Sequence, residues 1–206
     1  MKFRAIASAL GSILLALVLL SRATFAQSDS KASQGASNSK GDQTAQPNPN
    51  PYSTFNKIAY ARIQANLVNA AEKMPEENYA FKPTDSVRSY GQIVGHVADA
   101  QYMFCSTALG ETNPGLKIEQ TKTTKADLVA ALKDAIAYCD KAYNSMTDVS
   151  GAQMVKLFNT DMPKFGALSI NNIHDMEHYG NLATYMRMKN IVPPTSEAPP
   201  ATPQKK

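Results

Sequence analysis

Histidine and cysteine are scarce in this chain of 206 residues, which contains three histidines and two cysteines. Neither cysteine has a C-x-x-C partner or metal-ligand spacing, so the sequence offers no thiolate zinc motif and no dithiol redox motif. Alternating or β-branched stretches are few, so little competes with the helical periodicity described below. The sequence also lacks a basic stripe or an arginine–aromatic cluster, which argues against a nucleic-acid partner.

The first 26 residues are expected to form a secretory signal peptide. Lys2 and Arg4 precede a single apolar run, and Thr24-Phe25-Ala26 supplies the small residues of a cleavage site. The run is short for a membrane span, and no cysteine marks a lipid attachment point. We therefore expect a secreted or periplasmic protein without a stable membrane anchor. The alternative is an uncleaved N-terminal anchor.

The basic character of the chain comes largely from this segment. Of the 21 lysines and arginines, Lys2, Arg4 and Arg22 lie within residues 1–26, which contain no acidic residue. The remaining chain is close to neutral. The isoelectric point near 9.0 therefore does not indicate binding to nucleic acid or to an anionic membrane surface.

Two polar segments flank one candidate domain. Residues 27–51 contain no aliphatic side chain larger than alanine and are expected to form a disordered linker, because they cannot bury enough surface to offset the entropy of ordering. Residues 192–206 are proline-rich and are expected to form a disordered or extended tail. Residues 52–191 remain as a single folded domain, which is enough chain for one hydrophobic core.

Within this domain, four segments have apolar residues at helical spacing. They cover residues 53–74, 86–109, 124–146 and 163–189. Helices of this number and length predict an all-α fold, specifically a four-helix bundle. The connections of residues 75–85, 110–123 and 147–162 are long enough to cross from one end of the bundle to the other, so neighbouring helices could run parallel.

The same segments predict helix ends and core faces. Asp85 or Ser86 is expected to cap the second helix, Gly110 to end it and Asp161 to cap the fourth. The residues expected in the core are Tyr60, Ile63, Leu67, Ala70 and Met74 in the first helix, and Leu128, Leu132, Ala135, Cys139, Ala142 and Met146 in the third.

The three histidines fall where the ligands of one metal ion are expected. His174 and His178 form an i, i+4 pair, which places both imidazoles on one face of the fourth helix. His96 lies near the middle of the second helix and so meets them at the same depth in either helix direction. Three protein ligands with an open position are typical of catalytic zinc.

We therefore predict one divalent metal ion on His96, His174 and His178, with zinc, nickel, iron or manganese as candidates. The alternative is three unrelated histidines that make hydrogen bonds in the core or at the surface.

Nearby polar residues allow further interpretations. Asp99 and Asn171 each lie one helical turn from a predicted ligand and are candidates to orient an imidazole. The alternative is that both are solvated or make local hydrogen bonds. The run from His174 to His178 also matches H-x-x-E-H, in which Glu177 would be the general base of a metallopeptidase. That motif needs a further acidic ligand downstream, and only the proline-rich tail supplies one, so we reject this interpretation.

Several short motifs resemble the DinB-like superfamily across residues 53–196. In chain order they are Met74-Pro75-Glu76-Glu77, Tyr79-Ala80-Phe81-Lys82-Pro83, Val87-Arg88-Ser89-Tyr90-Gly91, Gly95-His96-Val97-Ala98-Asp99-Ala100-Gln101, His174-Asp175-Met176-Glu177-His178-Tyr179-Gly180-Asn181-Leu182 and Ile191-Val192-Pro193-Pro194. The resemblance implies a four-helix bundle that holds a divalent metal on His96, His174 and His178. It also implies that the middle two helices run in the same direction. Some members are metal-dependent thiol transferases or isomerases, and many have no known activity.

The two cysteines leave an alternative open. Cys105 and Cys139 lie on core-facing stripes and are either two buried small hydrophobic residues or, after export, a disulfide. Their depths match only if the second and third helices run parallel. An antiparallel pair would separate them beyond the Cα limit of about 7 Å for a disulfide.

Two functions are consistent with these observations. The first is a metal-dependent transferase or hydrolase acting on a small molecule in a pocket at the bundle midplane, lined by Tyr60, Ile63, Gln92 and Met103. The second is a non-catalytic metal-binding or interaction module. An enzyme requires a cavity beside the metal, whereas a module would have a sealed or shallow site. Export argues against a thiol cofactor, because low-molecular-weight thiols are scarce in oxidising compartments. The protein is expected to be a monomer or a homodimer.

Overall fold

The computed structural model describes residues 47–197. The predicted signal peptide of residues 1–26, the predicted linker up to residue 46 and the predicted tail beyond residue 197 lie outside this range. Between residues 47 and 197, no helix combines the length and the apolar character that a membrane crossing needs.

Four long helices pack against one another and confirm the predicted all-α four-helix bundle. In chain order the helices are α1 (Pro51–Lys73), α2 (Tyr90–Leu109), α3 (Ile118–Thr121), α4 (Lys125–Ser145), α5 (Asp148–Gly151) and α6 (Lys164–Met188). The bundle consists of α1, α2, α4 and α6. An antiparallel hairpin of β1 (Met154–Leu157) and β2 (Thr160–Pro163) precedes α6. Single 3-10 turns cover Glu76–Asn78 and Pro194–Ser196.

The middle two helices of the bundle, α2 and α4, run parallel. Gly91 lies against Leu128 near the two helix starts, and Cys105 meets Cys139 nearer the two helix ends. The connection between them therefore returns along the length of the bundle. This arrangement confirms the crossover that the long connections allowed.

The start of α2 differs from the prediction. The helix begins at Tyr90 rather than near Ser86, because Ser89 forms a capping box with Gln92. The Gln92 N–H donates to Ser89 Oγ over 3.2 Å, and the Ser89 N–H donates to Gln92 Oε1 over 2.8 Å. Gly110 ends the helix as predicted, with a left-handed φ of 77°.

The predicted cap of α6 is wrong. The helix starts at Lys164, directly after Pro163, and receives no side-chain cap. Asp161 lies in β2, where its carboxylate pairs with the Lys156 ammonium group across the hairpin at 3.0 Å. The strand pairing therefore holds Asp161 away from the helix.

The hairpin itself was not predicted and occupies most of the expected loop of residues 147–162. Its two turn residues, Phe158 and Asn159, have φ values of 48° and 61°. Two positive φ values in a two-residue connection are typical of a type I′ turn, for which Asn-Gly is the usual sequence signal. Phe-Asn gives no such signal, and strands of four residues are too short to establish alternation.

The predicted core faces are confirmed with one exception. All five residues predicted for the first helix are buried, including Met74, which directly follows the last residue of α1. Leu128, Leu132, Ala135, Cys139 and Ala142 of α4 are buried as well. Met146 is only partly buried, because it follows the last residue of α4.

The first residues of the predicted tail are held to the bundle. The Tyr179 hydroxyl donates to Thr195 Oγ1 over 2.9 Å and accepts from the Thr195 N–H over 3.0 Å. Arg187 donates to Ser196 Oγ, and Glu197 pairs with the Lys73 ammonium group. Proline content alone predicted an extended tail, but these polar partners fix its start against α1 and α6.

Cys105 and Cys139 form a disulfide, with their Cα atoms 5.2 Å apart. This confirms the disulfide alternative. The bond cross-links α2 and α4 across a sequence separation of 34 residues. Closing a loop of that length in the unfolded chain corresponds to about 4 kcal/mol of stabilisation in the chain-entropy account.

The double variant Cys105→Ala/Cys139→Ala is expected to have a free energy of unfolding lower by about 3–4 kcal/mol, because its unfolded chain is no longer cross-linked. Urea unfolding of the oxidised protein and of the variant measures the difference. Reductant should destabilise the native protein and leave the variant unchanged. Equal sensitivity of both proteins to reductant would contradict the assignment.

Candidate metal centre

The imidazoles of His96, His174 and His178 converge between α2 and α6. These helices run antiparallel, and the three residues lie near their midpoints. The Nε2 atom of His174 is 3.1 Å from Nε2 of His96 and 3.1 Å from Nε2 of His178. One ring nitrogen from each residue lies within 4.8 Å of both others. The three histidines are thus positioned to hold a metal ion.

The donor set fits a divalent metal. Two nitrogens, each 2.0–2.1 Å from zinc at a tetrahedral angle, are about 3.3 Å apart. The two 3.1 Å separations at His174 are close to this value. Neutral imidazole nitrogens also suit zinc, nickel and iron.

The surroundings keep two of the imidazoles neutral. Burial, followed by the charges of the neighbouring His174 and His96, lowers the pKa of His178 from 6.5 to about 4. Burial, followed by the positive charge of Arg88 and by His174, also lowers the pKa of His96. Glu119 acts in the opposite direction on His96. A neutral imidazole is the form that binds a metal, so the lowered pKa values of His96 and His178 favour metal binding.

Glu119, on the short helix α3, orients His96. Its Oε2 atom lies 3.2 Å from Nδ1 of His96, and its Oε1 atom accepts from Nε of Arg88 over 2.8 Å. A carboxylate that accepts the Nδ1 proton leaves the lone pair on Nε2, the atom that faces the other two histidines.

Two residues of α2 make this contact possible. Gly95 lacks a Cβ, and a Cβ there would lie 2.8 Å from Cα of Glu119. Asp99 accepts from the N–H groups of Ile118 and Glu119 over 2.8 and 3.0 Å. The prediction that Asp99 orients an imidazole is therefore corrected, because its two oxygens hold the start of α3 instead.

A buried polar layer lies directly behind His174. The carboxylate of Asp175 is fully buried, and its Oδ2 atom accepts from the side-chain amides of Gln64 and Gln101, each over 2.7 Å. Asn171 donates to Gln101 over 3.2 Å and also to the Tyr143 hydroxyl. Asn171 is thus part of this layer, which corrects its predicted role beside an imidazole.

Three buried side-chain atoms in or beside this layer have no hydrogen-bond partner among residues 47–197, namely Oδ1 of Asn171, Nδ1 of His174 and Oδ1 of Asp175. The last two atoms are 3.9 Å apart, which is too long for a hydrogen bond. Burial raises the pKa of Asp175, against the lowering effect of His174 and the two glutamine amides.

An apolar cavity of about 480 Å³ opens beside two of the histidines. His96 and His174 lie in its wall, together with Met103, Phe104 and Phe158. The rings of Phe104 and His174 are 5.5 Å apart. Of the four predicted pocket residues, Met103 lines this cavity. Tyr60 and Ile63 do not, because both are buried in the bundle core.

A second and more polar cavity, of about 680 Å³, lies on the other side of the histidines. Arg88, Glu119, His178 and Asn181 are in its wall. Gln92, the remaining predicted pocket residue, lines this cavity. The histidine cluster is therefore reached from an apolar side through His96 and His174, and from a polar side through His178.

Comparisons with known proteins identify the family and the fold of this chain. The family model described as the DinB superfamily matches residues 59–182. The chain belongs to the DinB superfamily. A comparison with curated proteins gives no match.

Solved DinB-like structures share the fold. A DinB-like protein from Bacillus cereus ATCC 10987 superposes with a TM-score of 0.61 at 14% identity, over 68% of this chain and 93% of that chain. A DinB-like protein from Bacillus subtilis gives a TM-score of 0.56 at 18% identity, over 73% and 99% of the two chains. At these identities the similarity concerns the bundle and not its chemistry.

Several residues of the DinB site were missed by sequence reasoning. Glu119 lies in a stretch interpreted only as a connection. The isolated aliphatic Ile118, which is buried, was a signal that this stretch packs against the bundle. Gln64 and Gln101 are polar residues within apolar helix faces, which is a local signal that does not identify their partners. Phe158 lies in the unpredicted turn.

The pKa of His178 gives an expected pH dependence. In metal-free protein, protons bind the unfolded chain near pH 6.5 but the folded chain only near pH 4. The free energy of unfolding is therefore unaffected by His178 above pH 6.5 and falls as the pH drops toward 4, by at most about 3 kcal/mol. Asp175, with its raised pKa, has the opposite effect, so the comparison must use a variant that retains it.

The measurement is urea unfolding in the presence of a chelator, from pH 7 to pH 4, for the native chain and His178→Gln. The stability of the native chain relative to the variant should fall toward pH 4. A difference that stays constant over this range would show that His178 is not held neutral.

Proposed function

We propose that the protein binds one divalent metal on His96, His174 and His178, and acts on a small molecule as a metal-dependent transferase or hydrolase. One observation carries this proposal: the three imidazole nitrogens converge at the wall of an apolar cavity large enough for a small ligand. Concave, mostly apolar cavities with a few converging polar groups are typical of small-molecule sites.

The cavity favours an enzyme over a binding module. A module that only holds a metal has no need for space beside it. Here the cavity of about 480 Å³ touches two of the three histidines, and their side chains retain 26% and 18% of their exposure. A ligand in the cavity would therefore reach the nitrogens from the side.

The residues of the chain have distinct roles in this proposal. The three histidines hold the metal, and Glu119 orients His96 through Nδ1. Phe104 and Phe158 form an apolar wall on one side of the site. When bound, the metal would supply a Lewis acid that lowers the pKa of a coordinated water or thiol.

Export to an oxidising compartment is part of the same proposal. The disulfide between Cys105 and Cys139 supports it, because such bonds persist mainly in secreted and periplasmic proteins. The expected signal peptide of residues 1–26 supports it from the sequence.

Replacing His178 with alanine is expected to abolish stoichiometric metal binding, because two imidazoles remain and one coordination position is lost. Elemental analysis of purified protein gives the metal-to-protein ratio. Thr184→Ala, an exposed change on the same helix, serves as the control and should keep the native ratio. An unchanged ratio in His178→Ala would remove His178 from the site.

Replacing Glu119 with glutamine is expected to weaken metal binding roughly 10- to 100-fold, the usual effect of losing a carboxylate that orients a ligand histidine. Competition with a chromophoric chelator measures the affinity. Gln120→Ala, at the adjacent position, should bind as the native chain does. If Glu119→Gln has native affinity, the carboxylate does not support the ligand.

A further inference from the structure

We infer that the apolar cavity beside His96 and His174 binds the uncharged, aromatic-sized body of the small-molecule ligand, and that Phe158 at the hairpin turn sets this preference. The inference rests on the proposed function, since the ligand's polar head would face the three imidazoles. It goes further by naming the substrate class and the residue that selects it.

The lining of the cavity supports an apolar occupant. Its apolar wall consists of Ala100, Met103 and Phe104 from α2, Leu116 from the connection after α2, and Phe158 from the hairpin. The rings of Phe104 and Phe158 meet edge to face with centroids 6.1 Å apart. Such a surface favours flat apolar groups, which gain edge-to-face contacts in addition to burial.

The charged groups at the cavity do not favour a cationic body. Asp99 is the acidic residue in the lining, and both its oxygens already accept backbone N–H groups of α3. Lys117 supplies the positive charge at the rim. A neutral body is therefore preferred in the interior.

Two large apolar side chains stay exposed at the mouth of the cavity. Leu116 is 50% exposed and Phe158 is 66% exposed, and they come from separate connections that meet there. Apolar groups gathered at one opening are typical of a ligand-binding groove. Neither the core nor the neighbouring connection covers Leu116 and Phe158, whereas a ligand in the cavity would cover both.

The backbone holds Phe158 in place at a conformational cost. Phe158 has a φ of 48°, a region that bulky residues rarely occupy and that asparagine tolerates. Local turn preference therefore does not explain a phenylalanine here, and its exposed ring contributes little to the core. Strained positions of this kind concentrate at binding sites.

The test compares two probes, imidazole and 4-phenylimidazole, on protein loaded with Co²⁺. Both carry the same nitrogen donor, and they differ by one phenyl ring. Titration of the visible absorption bands of Co²⁺ gives each dissociation constant. We expect 4-phenylimidazole to bind roughly 10- to 100-fold more tightly, as burial of one aromatic ring predicts.

The variant Phe158→Asn is expected to reduce this phenyl advantage, taken as the ratio of the two dissociation constants, at least several-fold. Because asparagine suits the left-handed turn, its melting temperature should equal or exceed the native value. Phe55→Asn is the matched control, since Phe55 is 73% exposed on α1 and does not line the cavity. It should keep the full advantage.

The outcomes separate the two proposals. If imidazole shifts the Co²⁺ bands but the phenyl ring adds no affinity, the inference is overturned and the proposed function survives. If imidazole does not shift the Co²⁺ bands, the proposal that the metal has an open coordination position is wrong. Saturation-transfer NMR of 4-phenylimidazole with metal-free protein then decides the inference. Saturation transfer to the phenyl ring of the probe that is lost in Phe158→Asn supports the inference, and absence of transfer overturns it.

Discussion

The burial of Asp175 constrains the rest of the molecule. A carboxylate in the middle of a bundle is costly unless hydrogen bonds replace its water. Gln64 on α1 and Gln101 on α2 provide two short bonds, and Asn171 extends the layer to Tyr143 on α4. All four helices of the bundle thus meet in one polar layer, and their relative heights are set there.

This layer also directs the histidines. Successive residues of a helix point about 100° apart, so an inward Asp175 turns His174 toward α2, and His178 follows one turn later. The position of His96 depends on the same layer, because Gln101 lies on the same helix and is bonded to Asp175. The convergence of the three imidazoles is therefore a consequence of core packing as well as of their spacing.

The parallel course of α2 and α4 also determines how Glu119 comes to contact His96. Parallel neighbours need a long return connection, and here that connection contains α3. Gly95 lets α3 approach the α2 backbone, which brings Glu119 to His96. The disulfide fixes the same pair of helices. The carboxylate that contacts Nδ1 of His96 thus comes from the connection and not from one of the four long helices.

The helices and the histidine cluster could be predicted from the sequence, because helical periodicity and the i, i+4 spacing are local signals. The site's supports could not. Glu119 acts from a four-residue helix with no periodicity, and Phe158 lies in a turn without the usual residues. Gln64, Gln101 and Asp175 are far apart in the chain. Each is a polar residue in a helix that also carries core residues, but the sequence does not show that the three bind one another. A carboxylate one helical turn from a ligand histidine is a reasonable candidate to orient it. At Asp99 this prediction failed because both carboxylate oxygens accept backbone N–H groups of α3.

The placement of two cavity residues has an evolutionary consequence. The long helices carry the three histidines, whereas Leu116 and Phe158 are exposed residues of the connections between helices. Changes of these two side chains can therefore alter what the cavity accepts while the histidine cluster stays intact. A bundle of this type could diversify its ligands by substitution at two exposed positions.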